Sequence, residues 1–146
     1  MGELRQTSAS LRFFGDDLDP DEISAALGAE PTVGVRKGGV WSTSRGVAKL
    51  ANSGSWRLHA ERRTPGDLEG QVAGLLEPLT SDLNVWKTLT RRFQADIFCG
   101  LFLATGNDGA SLSPQTLLAI GARGLSIELD IYIDFETYER IEDNQT

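Results

Sequence analysis

The chain is poor in the side chains on which most recognisable chemistry depends. One cysteine and one histidine occur among 146 residues. A lone thiol forms no internal disulfide, and one Cys with one His cannot supply a zinc site, so redox and zinc chemistry are set aside. No apolar run approaches the ~18 residues of a membrane span. The start of the chain, Met1 to Gln6, lacks a basic segment followed by an apolar stretch, the pattern of a secretory signal. A cytoplasmic location without membrane attachment is therefore expected.

Catalytic patterns are equally scarce. No serine or cysteine has the context of a nucleophile elbow. Gly106-Asn107-Asp108-Gly109 lacks the Gly-Lys-Ser/Thr ending of a phosphate loop and places a carboxylate where phosphate would sit, so it is read as a turn. Asp17, Asp19 and Asp21 alternate like the first ligands of a calcium loop. The sixth position, however, is Glu22 instead of Gly, and the twelfth is Gly28 instead of Glu. A looser divalent-metal site at Asp16 and Asp17 would support a carboxylate- or metal-dependent hydrolase, yet a helix cap already accounts for Asp19 and Glu22. His59 would need Asp96 or Asp130 to converge on it before it served as an acid or base, and the plainer reading is a surface histidine. No catalytic residue, metal ligand or cofactor is assigned.

What is present describes an ordinary globular domain. With 40% apolar and 24% charged residues, a chain of this length buries a core without disulfide or metal support. The division expected is one α+β domain over residues 1–134, followed by an acidic tail at 135–146 in which Phe135, Tyr138 and Ile141 allow a last amphipathic turn. The net charge of −7 is unevenly distributed: residues 1–35 carry two basic and seven acidic side chains, 36–92 ten and five, 93–146 two and nine. An acidic total opposes nonspecific binding to nucleic acid. A local basic patch from Arg57, Arg62, Arg63, Lys87, Arg91 and Arg92 competes with the reading of a solvated face that offsets the acidic ends.

Periodicity supplies the elements. From Leu125 to Ile133 every odd position is apolar and every even one polar, a strand with one buried face. Residues 95–104 are apolar on both faces except at Asp96, which suggests a more central strand with Cys99 as a core thiol. Ser10 to Gly15 forms a first strand with Leu11 and Phe13 inward, and residues 54–62 another with Trp56, Leu58 and Ala60 inward. Trp41 is expected to anchor a shorter strand paired with the latter. Asp19-Pro20 with Glu22 at the third position forms a capping box for a helix near 20–27, stopped by Gly28. Ser113-Pro114 repeats the device, with Leu117, Leu118 and Ile120 as its buried stripe. Two more helices are expected at 67–79 and 81–93, broken near Pro78 and Thr80.

Leu18-Asp19-Pro20 with Ile23 and Leu112-Ser113-Pro114 with Leu117 have the same spacing, so the chain contains an internal pseudo-repeat of strand-helix-strand units. Two such units, with a hairpin and helices between them, imply a layered sheet with helices on one face, related to the ferredoxin-like plan. The first strand would lie beside that at 95–104 or 125–133. Parity then sends Arg12, Phe14, Arg57, His59, Asp96, Phe98, Phe102, Glu128, Asp130 and Tyr132 to the other, partly open face. Rings give area and charges give orientation, which suits a binding surface; the same composition also suits a solvated sheet face.

The run Ser10-Leu11-Arg12-Phe13-Phe14-Gly15-Asp16-Asp17-Leu18-Asp19-Pro20-Asp21-Glu22-Ile23, the segment Gly38-Gly39-Val40-Trp41-Ser42, and Phe98-Cys99-Gly100 through Leu112-Ser113-Pro114 to Leu129-Asp130-Ile131-Tyr132 resemble the DUF4279 family. The resemblance spans nearly the whole chain. It implies a bacterial protein of unknown function and brings no catalytic or binding residue with it. The function expected first is a noncatalytic binding module for a protein partner, an immunity-type role being one form; a small-ligand sensor is the alternative and the hydrolase comes last. Homodimerisation through an exposed sheet edge or face is also expected.

Overall fold

The computed structural model describes residues 2–133; the tail assigned to 135–146, with Phe135, Tyr138 and Ile141, lies outside the described residues. In chain order the elements are β1 (Gly2–Glu3), β2 (Gln6–Gly15), α1 (Pro20–Leu27), β3 (Val33–Val35), β4 (Val40–Ser42), β5 (Ala48–Leu50) and β6 (Gly54–His59). They continue with α2 (Leu68–Leu76), α3 (Leu83–Arg92), β7 (Gln94–Phe102), β8 (Asp108–Gly109), α4 (Pro114–Ala122) and β9 (Ser126–Tyr132).

The main sheet has the order β3-β6-β2-β7-β9. Neighbours are antiparallel except β7 and β9, which run parallel. The first four strands thus follow the split βαβ order of the ferredoxin-like plan, and α4 with β9 adds a fifth beside β7. Both strand-helix-strand units are present, but their sheet relations differ. β6 inserts between β2 and β3, whereas β9 lies directly against β7. No later strand among the described residues follows β9 to separate that pair.

Leu11, Phe13, Trp56, Ile97 and Cys99 on one sheet face pack with Ile23, Leu27, Val72, Leu75, Trp86, Leu89 and Ile120 from the helices. The helix layer therefore covers a single face. Phe13 is the centre of it, edge-on to Trp56 at 5.9 Å and stacked on Trp86 at 6.2 Å between centroids. Both indoles are buried with their N–H groups satisfied: Trp56 Nε1 donates to Ser24 Oγ at 3.0 Å and Trp86 Nε1 to the Thr80 carbonyl at 2.8 Å.

The helix ends follow the sequence closely. Asp19 caps α1 by accepting from Asp21 N, and Gly28 closes it at φ 84°, a left-handed conformation that glycine adopts without penalty. Glu22 does not complete a capping box; its carboxylate pairs with Arg92 of α3 at 2.9 Å. Ser113 caps α4 through Thr116 N. On α4 the buried positions are Thr116 and Ile120, one turn apart, while Leu117 and Leu118 are 53% and 69% exposed. Of the apolar stripe expected there, Ile120 is buried but Leu117 and Leu118 face outward, and Thr116 takes the inward position, bonded to the Glu69 carboxylate at 2.8 Å.

Two expectations about strands need correction. Trp41 does not sit in a strand beside β6; β4 pairs with β5 in a separate hairpin, and β3 occupies that edge of the sheet. A hairpin closes locally, with Thr43 and Gly46 bonded across its turn, and needs no long-range pairing. In β9 the strand is real but its apolar face is buried only at its start: Leu125 and Ile127 pack with the core, whereas Leu129 is 51% and Ile131 61% exposed. Among the described residues β9 is the sheet edge, and the helix layer covers only its start.

Candidate functional site

The face opposite the helices collects the ten side chains that parity assigns to it. Antiparallel registry places Arg12 opposite Arg57 on one side and Asp96 on the other, with Ser10 between His59 and Phe98. On the β9 side, Phe98, Gly100 and Phe102 align with Glu128, Asp130 and Tyr132. Residues that share a face in paired strands point the same way, so this surface follows from registry.

Across its centre runs an alternating ladder of rings and guanidinium groups. Trp41 reaches in from the β4–β5 hairpin and lies 4.7 Å from the Arg57 guanidinium; Arg57 is 5.5 Å from the Phe14 ring. Phe14 in turn lies 5.1 Å from Arg12, and Arg12 4.2 Å from Phe98. Each guanidinium is held between two ring faces, which attract cations while leaving the in-plane N–H groups to donate sideways.

Arg12 spends those donors on Asp96. Nε donates to Oδ1 at 2.8 Å and Nη2 to Oδ2 at 2.9 Å, a bidentate pair whose side chains are 22% and 7% exposed. Asp96 is therefore buried and structural. Phe102 is buried as well, stacked on Tyr132 at 4.9 Å and 10°, and Tyr132 donates its hydroxyl to Asp130 at 2.9 Å. Gly100 makes room for this stack, since a Cβ there would meet Ser8 Oγ at 2.5 Å and the Phe102 ring at 3.2 Å. Also on this face, Ser55 Oγ and Gln6 Nε2 are buried with no hydrogen-bond partner among the described residues.

His59 is half-buried, a departure from the surface histidine read from sequence. Burial, followed by the charges of Arg57, Arg12 and Arg62, pushes its pKa down to about 4, so it is neutral at physiological pH. Arg57 is shifted down for the same reasons, burial first and then Arg12. The His59 to Asp96 couple does not form, because Arg12 occupies both oxygens of Asp96. Cys99 lies on the helix-covered face, and burial reinforced by the Asp96 charge pushes its thiol up to about 12. It is no nucleophile near neutrality.

Elsewhere the acidic motifs are held in structural work. The Asp16 carboxylate binds Lys37 Nζ at 3.1 Å, and Asp19 pairs with Arg36 at 2.8 Å. Asp108 accepts from the Ala104 and Thr105 amides and the Thr105 hydroxyl, which closes the bend over 104–107; the turn read at Gly106–Gly109 holds only for its first half, since Asp108 and Gly109 form β8 against β1. Among the described residues no group of three or more His, Cys, Asp or Glu side chains could hold a metal ion, and no helix is long and apolar enough to cross a membrane. The basic residues do not form one patch: Arg57 belongs to the open face, whereas Lys87, Arg91 and Arg92 ride on α3 behind the other.

Sequence reasoning missed Trp41 and Lys49 as members of this region; Lys49 Nζ lies 6.0 Å from the Trp41 ring. The available signal was Val40-Trp41-Ser42 between Gly39 and Gly46, a strand-turn pattern placing one large ring alone on one side of a hairpin. A family model described as a domain of unknown function (DUF4279) matches residues 5–134 of the chain. No curated protein and no solved structure matches it.

Proposed function

The chain belongs to the DUF4279 family, a domain of unknown function, and on that premise we propose that it is a noncatalytic binding module that engages a protein partner through the open sheet face. The ladder Trp41, Arg57, Phe14, Arg12, Phe98 carries the reading. Ring-guanidinium stacks are expensive to order in isolation, and aromatic and arginine side chains are those enriched where proteins meet partners. Orientation comes from charge: the β6 side presents Arg57, and the β9 side presents Glu128 and Asp130, so the face has a polarity that a partner can match. The desolvated, neutral His59 and the inert Cys99 thiol agree with recognition more than with acid-base or covalent chemistry.

The test is native mass spectrometry of the tagged protein isolated at low salt from its own host, beside the Trp41→Ala/Arg57→Ala double variant and the control Lys87→Ser on the opposite layer. A stoichiometric partner mass kept by wild type and control but lost by the double variant, all three melting alike, is the expected result. A toxin among the retained partners would give the module an immunity-type role. No retained protein, or equal retention by all three, would sink the proposal, and a small-molecule mass removed by the double variant would replace it with the ligand-sensor reading.

A further inference from the structure

The helix layer is not continuous over β6. α1 packs against this strand at Trp56, whose buried indole donates to Ser24, and α2 lies against β2. On the same face of β6, Leu58 and Ala60 are only half-buried. β3 is too short to cover the strand from outside: it pairs with residues 55–57, and the Thr32 hydroxyl then accepts from the His59 amide at 3.0 Å. The gap that results is a cavity of about 380 Å³, a size within the range of small-ligand sites. Leu58, Ala60, Leu75 and Leu79 give it an apolar interior, and Glu61 and Arg63 stand at its rim. α2 turns Gly70 and Gly74, one turn apart, toward this space, and no described atom lies within 4 Å of where a Cβ at Gly74 would stand. Glycine weakens a helix interior and is usually kept there to let a neighbour approach; at Gly74 the room faces the cavity instead.

The rim carries one charge of each sign on a fixed backbone. Arg63 exchanges two main-chain hydrogen bonds with Thr7, both 3.1 Å, and the Glu61 carbonyl accepts from Gln71 Nε2 at 2.7 Å. Both side chains are exposed, and among the described residues neither makes an ion pair or a side-chain hydrogen bond. We infer that this cavity binds a free α-amino acid with a large apolar side chain, of leucine or phenylalanine size. That side chain fills the space against Leu58, Leu75 and Leu79, the carboxylate meets the Arg63 guanidinium, and the ammonium meets Glu61. Charge balance selects this class. A simple carboxylic acid would satisfy Arg63 and set its anion beside Glu61, an amine would do the reverse, and a zwitterion satisfies both. The two charged residues are two positions apart, about 7 Å along an extended chain, a gap that their long side chains can close around one α-carbon. The site lies on the helix-layer side of β6 and is separate from the ring-guanidinium ladder.

The probes are L-leucine and L-phenylalanine, titrated into the full chain by calorimetry beside L-lysine, L-aspartate and the N-acetyl and amide forms of the better binder. One of the two is expected to bind, with both charged amino acids and both capped forms about tenfold weaker or worse, since each capped form lacks one charge that the rim meets. Arg63→Gln and Glu61→Gln should each weaken binding about tenfold as well, and Lys87→Ser should leave it unchanged. Gly74→Leu should abolish binding by filling the cavity while the protein melts at the same temperature or higher, because leucine is the better helix former. That pairing separates a blocked cavity from a damaged fold. Main-chain amide shifts confined to 58–63 and 70–79 would place the ligand there. No binding of either amino acid at millimolar concentration, equal binding of the charged or capped compounds, binding unmoved by Gly74→Leu, or shifts gathered on the open face would overturn the inference.

Discussion

At the scale of single residues, ionisable groups on the open face are tuned by burial and by one another. His59 has a folded pKa of about 4 against an ordinary 6.5. Above about 6.5 neither the folded nor the unfolded chain protonates His59; as pH falls from about 6.5 to 4 the unfolded chain binds a proton that the folded one excludes, so stability is lost across that window. The full effect is on the order of 3 kcal/mol. Urea unfolding at steps between pH 7 and pH 4 should therefore show a shallower loss of stability for His59→Gln than for wild type; parallel curves would remove the burial argument. Asp96 has a different role. Substitution by Ala should destabilise the fold by roughly 2 to 4 kcal/mol by leaving the Arg12 guanidinium with its carboxylate gone. Thermal unfolding checks this, and a loss below about 0.5 kcal/mol would mean that ring stacking alone holds Arg12.

At the scale of elements, α2 is fixed by a buried polar network in addition to its apolar stripe. Thr7 Oγ1 donates to Gln71 Oε1 at 2.6 Å and accepts from the Asp67 amide at 2.8 Å. Gln71 Nε2 donates to the carbonyls of Thr7 at 2.9 Å and Glu61 at 2.7 Å. All these groups find partners, which is the condition under which buried polarity adds order instead of cost. Gln71→Leu keeps the volume but removes three hydrogen bonds, taking the acceptor from the Thr7 hydroxyl and the side-chain donor from the Glu61 carbonyl while the Thr7 carbonyl keeps the Arg63 amide, so a loss of about 2 to 3 kcal/mol in unfolding free energy is expected. Glu69 performs a similar service between helices, accepting from the Ser113 amide at 2.7 Å and the Thr116 hydroxyl, and both bonds hold its carboxyl below the usual range. Glu69→Gln should loosen α4, read as faster amide exchange in 114–122 with exchange in β2 and β7 unchanged.

At the scale of the whole molecule, the sheet divides the protein into a packed layer and an open face. The first depends on Phe13, Trp56 and Trp86, and the second on registry across β6, β2, β7 and β9. Alternation made this division legible in advance, since a strand with one committed face leaves no choice for the other. The ten open-face residues could be named because each lies at even or odd spacing from a core residue on its own strand. Their availability could not: Asp96 and Phe102 are buried by their neighbours, and which neighbours those are depends on strands distant in sequence.

Local chemistry was enough to specify the helix caps at Asp19 and Ser113, the left-handed stop at Gly28 and the α+β class, because each rests on contacts within a few residues or on a period along one strand. Tertiary structure alone decided that Trp41 crosses from a hairpin to stack on Arg57, that Arg12 is shared between Phe14, Phe98 and Asp96, and that α4 turns Thr116 instead of Leu117 and Leu118 toward the core. It also decided that the most regular strand of the sequence, β9, is an edge among the described residues, with Leu129 and Ile131 uncovered. Periodicity states which residues could be buried together; only the order of strands and the reach of the helix layer determine which ones are, because burial is a property of neighbours that the chain brings from far apart.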